Sequence, residues 1–197
     1  MSELQEAEMA LFELTQKVAR LRKDAPLVPV KNYAFSDAHG DVSLQDLFGK
    51  NNTLFLIHNM GQACRFCTLW ADGLNGFIPH IESHFSLALV SKDDPETQRR
   101  MANSRHWRFK MVSHGGGEYI SEQTVLADQD NMPGLVCYIL KDGEIYRKNS
   151  AVFGPGDEFC SQWNLLSLAG ISESEWVPQY QYWKRPAVMD DGGENLE

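Results

Sequence analysis

Apolar residues recur along the chain with two spacings, and each spacing predicts a local structure. Between residues 2 and 23 they lie three and four positions apart, which is typical of one face of an α-helix. The residues of this stripe are Leu4, Ala7, Leu11, Leu14, Val18 and Leu21. Continuous apolar runs at 53–58, 85–91 and 135–140 instead predict buried strands. Helical patterns at 67–81 and 95–106 follow the first two runs.

The order of these elements predicts the fold class. Strands separated by helices are joined by parallel crossovers, whereas the turn residues at 141–143 predict a late antiparallel hairpin. We therefore expect an α/β domain with a mixed central sheet and helices on both of its faces. Asp157 is predicted to cap the last helix, and Gly170 to end it.

The N-terminal helix has signals at both of its ends. Ser2 and Gln5 have the spacing of a capping box. Acidic residues fill the first half of the helix and basic residues fill its end, as the helix dipole favours. Its apolar stripe is shorter than the three to four heptads that predict a coiled coil. Two interpretations remain: the helix docks on its own domain, or it forms a contact between two copies in a homodimer.

The charge of the chain excludes several kinds of partner. The net charge is −9, from 27 acidic and 18 basic residues, which disfavours binding to nucleic acid or to an anionic membrane. No apolar run approaches the ~20 residues of a membrane span. The acidic residues at 3–8 are followed by no apolar segment of a signal peptide. We therefore expect a cytoplasmic protein.

Two of the four cysteines stand where a reactive thiol pair is expected. Cys64 and Cys67 follow the predicted strand 53–58 and open the next helical pattern. A helix N-terminus lowers the pKa of a thiol placed there, and Arg65 adds positive charge. We therefore predict Cys64 as the attacking thiol and Cys67 as the resolving thiol.

Two other interpretations of the pair stay open. Half of a zinc site would need a second closely spaced pair of ligands, which the sequence lacks. The cysteines could instead be the inert remnant of a degenerate site. We expect the protein to need no cofactor and no metal.

Two stretches of the chain resemble a known family. Residues 33–50, which run from Tyr-Ala-Phe-Ser-Asp to Leu-Phe-Gly-Lys, resemble the thioredoxin-like branch that holds thiol peroxidases and periplasmic thiol reductases. Residues 58–76, with the run Cys-Arg-Phe-Cys-Thr-Leu-Trp-Ala-Asp, and Met-Pro-Gly-Leu at 132–135 resemble an uncharacterised bacterial family of predicted dithiol–disulfide oxidoreductases. The resemblance implies a thioredoxin-like domain at 26–186. An N-terminal helix at 1–25 precedes it, and a disordered acidic tail at 187–197 follows it.

Three further residues are candidates for the site, and the resemblance draws attention to the first two. His58 stands six residues before Cys64, where thioredoxins carry a buried acid that accepts a proton from the second cysteine. The alternative for His58 is a histidine that only bonds backbone at the end of a strand. Pro133 is the candidate for the cis-proline that faces the thiols. Trp70 is expected either to pack in the core or at its rim, or to face the substrate.

Three functions fit these residues. The first is thiol–disulfide exchange by Cys64 and Cys67 with a disulfide-bearing protein or a small thiol. The second is a thiol peroxidase, although the Pro-x-x-x-Thr-x-x-Cys pattern of peroxiredoxins is absent. The third is a non-enzymatic binding or dimer module of thioredoxin fold, in which the CxxC is vestigial.

Overall fold

The computed structural model of the protein describes residues 1–180, and an eight-stranded sheet forms its centre. The strands are β1 (Val28–Val30), β2 (Ala34–Asp37), β3 (Gly40–Ser43), β4 (Thr53–His58), β5 (Ser86–Ser91), β6 (Lys110–Ser113), β7 (Gly134–Lys141) and β8 (Glu144–Val152). The helices are α1 (Glu3–Asp24), α2 (Arg65–Asn75), α3 (Ile78–Ile81), α4 (Pro95–Arg105), α5 (Glu118–Glu122) and α6 (Ser161–Leu168), and a 3-10 helix spans Gln45–Phe48.

The order of the strands confirms the predicted mixed sheet. They lie in the order β1-β8-β7-β4-β5-β6-β2-β3. β4, β5 and β6 pair in parallel, and the other neighbours pair antiparallel. At the end of β4, His58 lies between Val90 of β5 and Gly134 of β7. The carboxyl ends of the three parallel strands therefore meet at one edge of the sheet.

Each face of the sheet is covered by its own apolar core, because side chains alternate along a strand. Leu54 and Leu56 of β4 belong to one core, together with Tyr119 of α5. Ile57 of the same strand belongs to the other core, together with Trp70 of α2. Helices therefore pack on both faces, as predicted, and α2 and α5 lie on opposite sides of β4.

The predicted helix at 67–81 is divided into α2 and α3. α2 ends at Asn75, and the N–H of Gly76 donates to the carbonyl of Leu74. Pro79 explains the division, since a proline ring clashes with the carbonyl four residues before it and cannot continue the helix past Asn75. The expectation of one continuous helix was wrong, although Pro79 was present in the sequence as a signal.

Three smaller differences from the prediction have local causes. α6 begins later than expected, with Cys160 as its N-cap. The Asp157 carboxylate instead accepts hydrogen bonds from the N–H groups of Gly154, Phe159 and Cys160, so it orders the turn before the helix. β1 and α5 were not predicted; at three and five residues they are too short for a periodic pattern, and β1 exists by pairing with β8.

α1 extends away from the domain. Its predicted capping box is present, with Ser2 N donating to Gln5 Oε1 at 2.9 Å and Gln5 N donating to Ser2 Oγ at 3.3 Å. No residue of α1 is buried. Contacts with the domain occur near its C-terminal end, where Lys148 donates to the carbonyl of Lys23 at 2.8 Å.

Two further expectations concern the acidic tail and membrane-spanning helices. The predicted acidic tail at 187–197 lies outside the described residues. Among the residues that the structure does describe, no helix has the length and apolar character needed to cross a membrane.

The substitution Gly134→Ala tests how closely the sheet packs at the edge beside His58. A methyl group on Gly134 would overlap the carbonyl oxygen of Ala151 and lie 2.9 Å from Cγ2 of Val125. We expect the free energy of unfolding to fall by about 1–3 kcal/mol, as measured by urea denaturation. Gly154→Ala is the matched control, because nothing lies within 4 Å of its added methyl group. Equal stability of the two variants would contradict this account.

Candidate active site

The two sulfurs of the CxxC are bonded at the N-terminus of α2. Cys64 is the N-cap residue of α2 and forms a disulfide with Cys67, with the two Cα atoms 5.3 Å apart. The N–H of Cys67 donates to Cys64 Sγ at 3.1 Å. The carbonyl of Cys64 accepts hydrogen bonds from the N–H of Thr68 at 3.0 Å and from its hydroxyl at 3.1 Å. The first turn of α2 therefore directs an N–H donor at the Cys64 sulfur.

The two cysteines differ in exposure. Cys64 is half-buried, whereas Cys67 is only 3% exposed. Arg65 occupies the first position of α2 and is also half-buried. Within residues 1–180 no hydrogen bond or ion pair ties the Arg65 guanidinium to another side chain.

The loop before Cys64 is held by residues from the neighbouring strand. The N–H of Asn59 donates to the carbonyl of Val90 at 2.9 Å. The N–H of Gln62 donates to the carboxylate of Asp93, just after β5, at 2.6 Å. Gly61 has a φ of +110°, and a Cβ added there would lie 2.8 Å from Asp93 Oδ1. Asp93 therefore packs directly on the loop, a contact that the sequence did not predict.

Two further contacts reach the site from later parts of the chain. The hydroxyl of Tyr180 donates to the carbonyl of Ala63, and the carbonyl of Tyr180 accepts from Arg105 Nη1 at 2.9 Å. Arg105 in turn forms an ion pair with Asp72 of α2, which also accepts from Trp107 Nε1 at 2.8 Å. These contacts tie α2 and the loop before Cys64 to α4 and to Tyr180.

His58 is buried at the end of β4, with 2% of its surface exposed. Its Nε2 is hydrogen-bonded to the hydroxyl of Tyr119 at 2.7 Å, and its Nδ1 has no partner among residues 1–180. No hydrogen bond joins its ring to either sulfur of the CxxC in the same part of the chain. The alternative that His58 only bonds backbone does not hold, since its partner is a side chain.

A chain of hydrogen bonds continues from His58 to the surface. It runs through Tyr119, Tyr138, Gln123 and Tyr33 to Glu122, with donor–acceptor distances between 2.7 and 3.2 Å. Tyr138 donates its one hydrogen to Gln123 Oε1, so Tyr119 must donate to Tyr138. The Tyr119 oxygen can then only accept a hydrogen bond from His58, so the hydrogen of the imidazole is on Nε2. The free lone pair of His58 is therefore on Nδ1.

The charge states of this chain follow from its burial. Burial lowers the pKa of His58 to about 3, so the imidazole is neutral at physiological pH. Burial raises the pKa of Tyr119 well above its ordinary value, and the phenol keeps its proton. At the surface, hydrogen bonds from Lys31 and Tyr33 lower the pKa of Glu122, which remains a carboxylate. The chain thus joins a neutral buried base to a surface anion.

Pro133 and Trp70 differ from what the sequence suggested. The described residues contain no cis peptide bond, so Pro133 follows a trans bond and the expected cis-proline is corrected. Its carbonyl accepts from the N–H of Phe153 at 2.9 Å.

Trp70 is 2% exposed and its ring lies 5.4 Å from that of Phe153. α2 turns Trp70 toward the sheet, so Trp70 is a core residue and offers no surface to a substrate.

The remaining cysteines stand apart from the bonded pair. Cys137 and Cys160 are free thiols. Burial raises the pKa of Cys137 to about 11 and also raises the pKa of Cys160. Both therefore stay protonated and poorly nucleophilic at neutral pH. Residues 1–180 contain no group of three or more histidine, cysteine or acidic side chains that could hold a metal ion.

Several solved structures are similar to this one, and three of them show the range. Peroxidoxin BcpB from Mycobacterium tuberculosis has a TM-score of 0.54 at 16% identity, over 75% of this chain and 97% of that one. The bacterioferritin comigratory protein of Xanthomonas campestris has a TM-score of 0.51 at 14% identity, over 74% of this chain and 96% of that one. The Plasmodium vivax 2-Cys peroxiredoxin has a TM-score of 0.50 at 13% identity, over 66% and 85% of the two chains. This likeness concerns the fold, and it confirms the predicted thioredoxin-like fold.

The family of the chain is also defined by its sequence. The chain belongs to the bacterial proteins of unknown function called DUF899, which it matches over residues 1–187. This match confirms the predicted resemblance to an uncharacterised bacterial family. A comparison with curated proteins found no significant match.

The burial of His58 predicts how stability changes with pH. Its folded pKa of about 3 lies below the value of 6.5 that an exposed histidine has. Between these values the unfolded state binds a proton that the folded state does not. The stability contributed by neutral His58 is therefore complete above about pH 6.5 and is lost progressively as the pH falls toward about 3.

The variant His58→Gln removes this contribution. We expect its free energy of unfolding to decline less steeply with acidification, by up to about 1.4 kcal/mol per pH unit. Urea denaturation at a series of pH values measures the slope. His39→Gln is the control, because His39 is exposed on the turn between β2 and β3. A slope in His58→Gln equal to that of the unsubstituted protein would show that His58 is not buried as a neutral base.

Proposed function

We propose that the protein is a thiol–disulfide oxidoreductase that acts through Cys64 and Cys67. The observation that carries this proposal is the disulfide at the N-terminus of α2, in which one sulfur belongs to a half-buried residue and the other to a residue only 3% exposed. A substrate sulfur approaching from outside meets Cys64 first. The buried Cys67 is held where it can attack a bond formed on Cys64.

The exchange proceeds in two balanced steps. The Cys64 thiolate attacks one sulfur of a substrate disulfide; the substrate S–S bond breaks, one substrate thiolate leaves, and a mixed disulfide forms on Cys64. The Cys67 thiolate then attacks Cys64 Sγ, releases the second substrate thiolate and closes the Cys64–Cys67 disulfide. The substrate gains two electrons and the protein loses two.

The reduced pair must be regenerated by another dithiol or by two small thiols. We assign the protein to a reducing compartment, the cytoplasm, where such thiols are present. The substrate class is a disulfide-bearing protein or a small disulfide. The same steps run in reverse oxidise a dithiol.

The α2 terminus favours the thiolate of Cys64. The N–H of Cys67 is directed at Cys64 Sγ, the positive end of the helix dipole lies there, and the next residue in the chain is the cationic Arg65. These groups stabilise the Cys64 thiolate both as the attacking group and as the group that leaves when the disulfide is reduced.

His58 is proposed to relay the proton of Cys67. Its neutral ring has a free lone pair on Nδ1, and its Nε2–H donates into the chain that begins at Tyr119. With a pKa of about 3 it is too weak a base to hold the proton, so it passes one on. A proton accepted at Nδ1 would let Nε2 pass its own proton to Tyr119, Tyr119 pass one to Tyr138, and Tyr138 pass one to Gln123 Oε1. Gln123 Nε2 would then give a proton to Tyr33 and Tyr33 one to Glu122, which leaves Gln123 as its imidic-acid tautomer.

A thiol peroxidase is the second candidate, because the similar folds are those of a peroxidoxin and a 2-Cys peroxiredoxin. In such a reaction the Cys64 thiolate attacks a peroxide oxygen, an S–O bond forms, the O–O bond breaks, and water or an alcohol leaves. The Cys67 thiol then attacks the sulfur of the sulfenic acid, which forms the disulfide and releases a second water. The positions of the peroxiredoxin proline and threonine relative to Cys64 are held by Ile57 and Gly61. The threonine hydroxyl that would orient a peroxide is thus lacking, and disulfide exchange is favoured.

Single cysteine variants test the proposed roles. Cys64→Ser should reduce the turnover of a small disulfide, measured with a dithiol reductant, to the uncatalysed rate. Cys67→Ser should instead accumulate a mixed disulfide on Cys64 that intact-mass spectrometry detects. Cys137→Ser is the control and should keep full activity, since Cys137 is a separate thiol of high pKa.

The same variants distinguish the two candidate reactions. If Cys64 is oxidised by hydrogen peroxide much faster than a free thiol, yet disulfide turnover stays at background, the peroxidase is the correct function. If Cys64 keeps a pKa near the ordinary ~8.5 and reacts with neither substrate, both enzymatic proposals are wrong and the pair is vestigial.

If His58 relays the proton of Cys67, breaking the chain of hydrogen bonds should slow only the second step, in which Cys67 attacks the mixed disulfide on Cys64. Tyr138→Phe removes the hydroxyl that links Tyr119 to Gln123 while it keeps the ring. We expect the mixed disulfide to resolve about 100-fold more slowly, with the first attack by Cys64 unchanged, in rapid-mixing experiments. Tyr146→Phe, whose hydroxyl bonds the exposed Glu144, is the control. Unchanged resolution in Tyr138→Phe would exclude the relay.

A further inference from the structure

α1 presents an apolar stripe that the described part of the chain leaves uncovered. Four leucines of the stripe are largely exposed: Leu4 at 67%, Leu11 at 63%, Leu14 at 57% and Leu21 at 61%. The helix spans 22 residues and contains no buried residue. Leucines spaced three and four apart on one helix face are the pattern by which two helices pack.

The stripe is complementary to itself when a second copy is reversed. Its six positions fall into three pairs placed symmetrically about the middle of α1: Leu4 with Leu21, Ala7 with Val18, and Leu11 with Leu14. Two antiparallel copies would bring each residue opposite its pair on the other helix. Every layer of the contact would then be apolar on both sides, and the two-fold axis would pass between residues 12 and 13.

The charges of α1 also favour a reversed second copy. The acidic residues Glu3, Glu6, Glu8 and Glu13 lie in its first half, and the basic residues Lys17, Arg20, Arg22 and Lys23 lie in its second half. Antiparallel packing places each acidic half beside a basic half. Parallel packing would place acid beside acid and base beside base, which opposes association.

The attachment of α1 to the domain decides where the two domains of a pair would lie. The domain contacts α1 near its C-terminal end, where Lys148 bonds the carbonyls of Lys23 and Ala25, and Asn149 bonds the carbonyl of Arg22. A helix of this length extends about 33 Å. In an antiparallel pair the two domains would lie at opposite ends of the helices, whereas a parallel pair would bring both domains to the same end.

From these observations we propose that α1 joins two copies of the protein as an antiparallel helix pair, with the stripe from Leu4 to Leu21 as the contact. The occupant of the stripe is a second copy of this chain. This inference does not depend on the thiol chemistry, because α1 contributes no residue to the site around Cys64.

Solution mass measures the association. Light scattering on the 197-residue protein as it elutes from a size-exclusion column should give twice the 22.3 kDa chain mass. Leu11→Glu and Leu14→Glu should each return the mass to that of one chain, because each buries a carboxylate in the central layer. Gln16→Glu, on the side of α1 away from the stripe, is the matched control and should stay dimeric. Circular dichroism checks that each variant keeps its fold.

Cysteine substitution determines the orientation. In a Cys64→Ser, Cys67→Ser background, the variants Leu4→Cys and Leu21→Cys are prepared separately, then mixed and oxidised. The antiparallel pair predicts a disulfide between the two different variants in the mixture and none in either variant alone. Crosslinking of each variant with itself would overturn the antiparallel arrangement.

Two results would overturn the proposal as a whole. One is a mass of a single chain at every protein concentration tested. The other is dissociation by Phe12→Glu but not by Leu11→Glu, since Phe12 is 65% exposed on another side of α1 and its loss should matter less than that of the stripe. Loss of the dimer with full thiol activity would leave the proposed function intact, so the two proposals fail separately.

Discussion

The bond between Cys64 and Cys67 constrains the backbone on both sides of it. The chain leaves β4, forms a short loop and begins α2 directly after Cys64. There the Cα atoms of the two cysteines lie 5.3 Å apart, and the N–H of Cys67 donates to Cys64 Sγ. Two residues outside this loop hold it by hydrogen bonds. The carbonyl of Val90 accepts from the N–H of Asn59, and the carboxylate of Asp93 accepts from the N–H of Gln62. Contacts with β5 and the residues after it therefore help to fix the backbone that leads into the disulfide.

The sheet separates the sulfurs from the polar chain that we propose serves them. α2 packs by Trp70 on one face of β4, and His58 extends to Tyr119 on the other face. Charged groups are costly in either core, so the interior chain consists of neutral hydroxyl, amide and imidazole groups and reaches a charge only at Glu122. His58 is the last residue of β4, and Cys64, six residues later, is the N-cap of α2.

The fold sets where chemistry can occur but not which chemistry occurs. Peroxiredoxins at 13–16% identity share the fold of this chain. The choice between disulfide exchange and peroxide reduction rests on a few side chains around Cys64, since one fold accommodates different reactions. Here Gly61 allows Asp93 to pack on the loop, and the position is closed to a side chain that could orient a peroxide. α1 lies apart from this site and offers a different surface.

Local signals in the sequence were enough to predict α1, the buried strand β4, the thiol pair at the start of α2 and the late hairpin, because each depends on residues a few positions apart. Pro79 was equally local, and it would have predicted the end of α2. The partners of His58 and of Gln62 lie 61 and 31 residues away, and the burial of Trp70 depends on which face of the sheet α2 covers. Such contacts are set by strand order and by the packing of both faces, so only the tertiary structure could decide them.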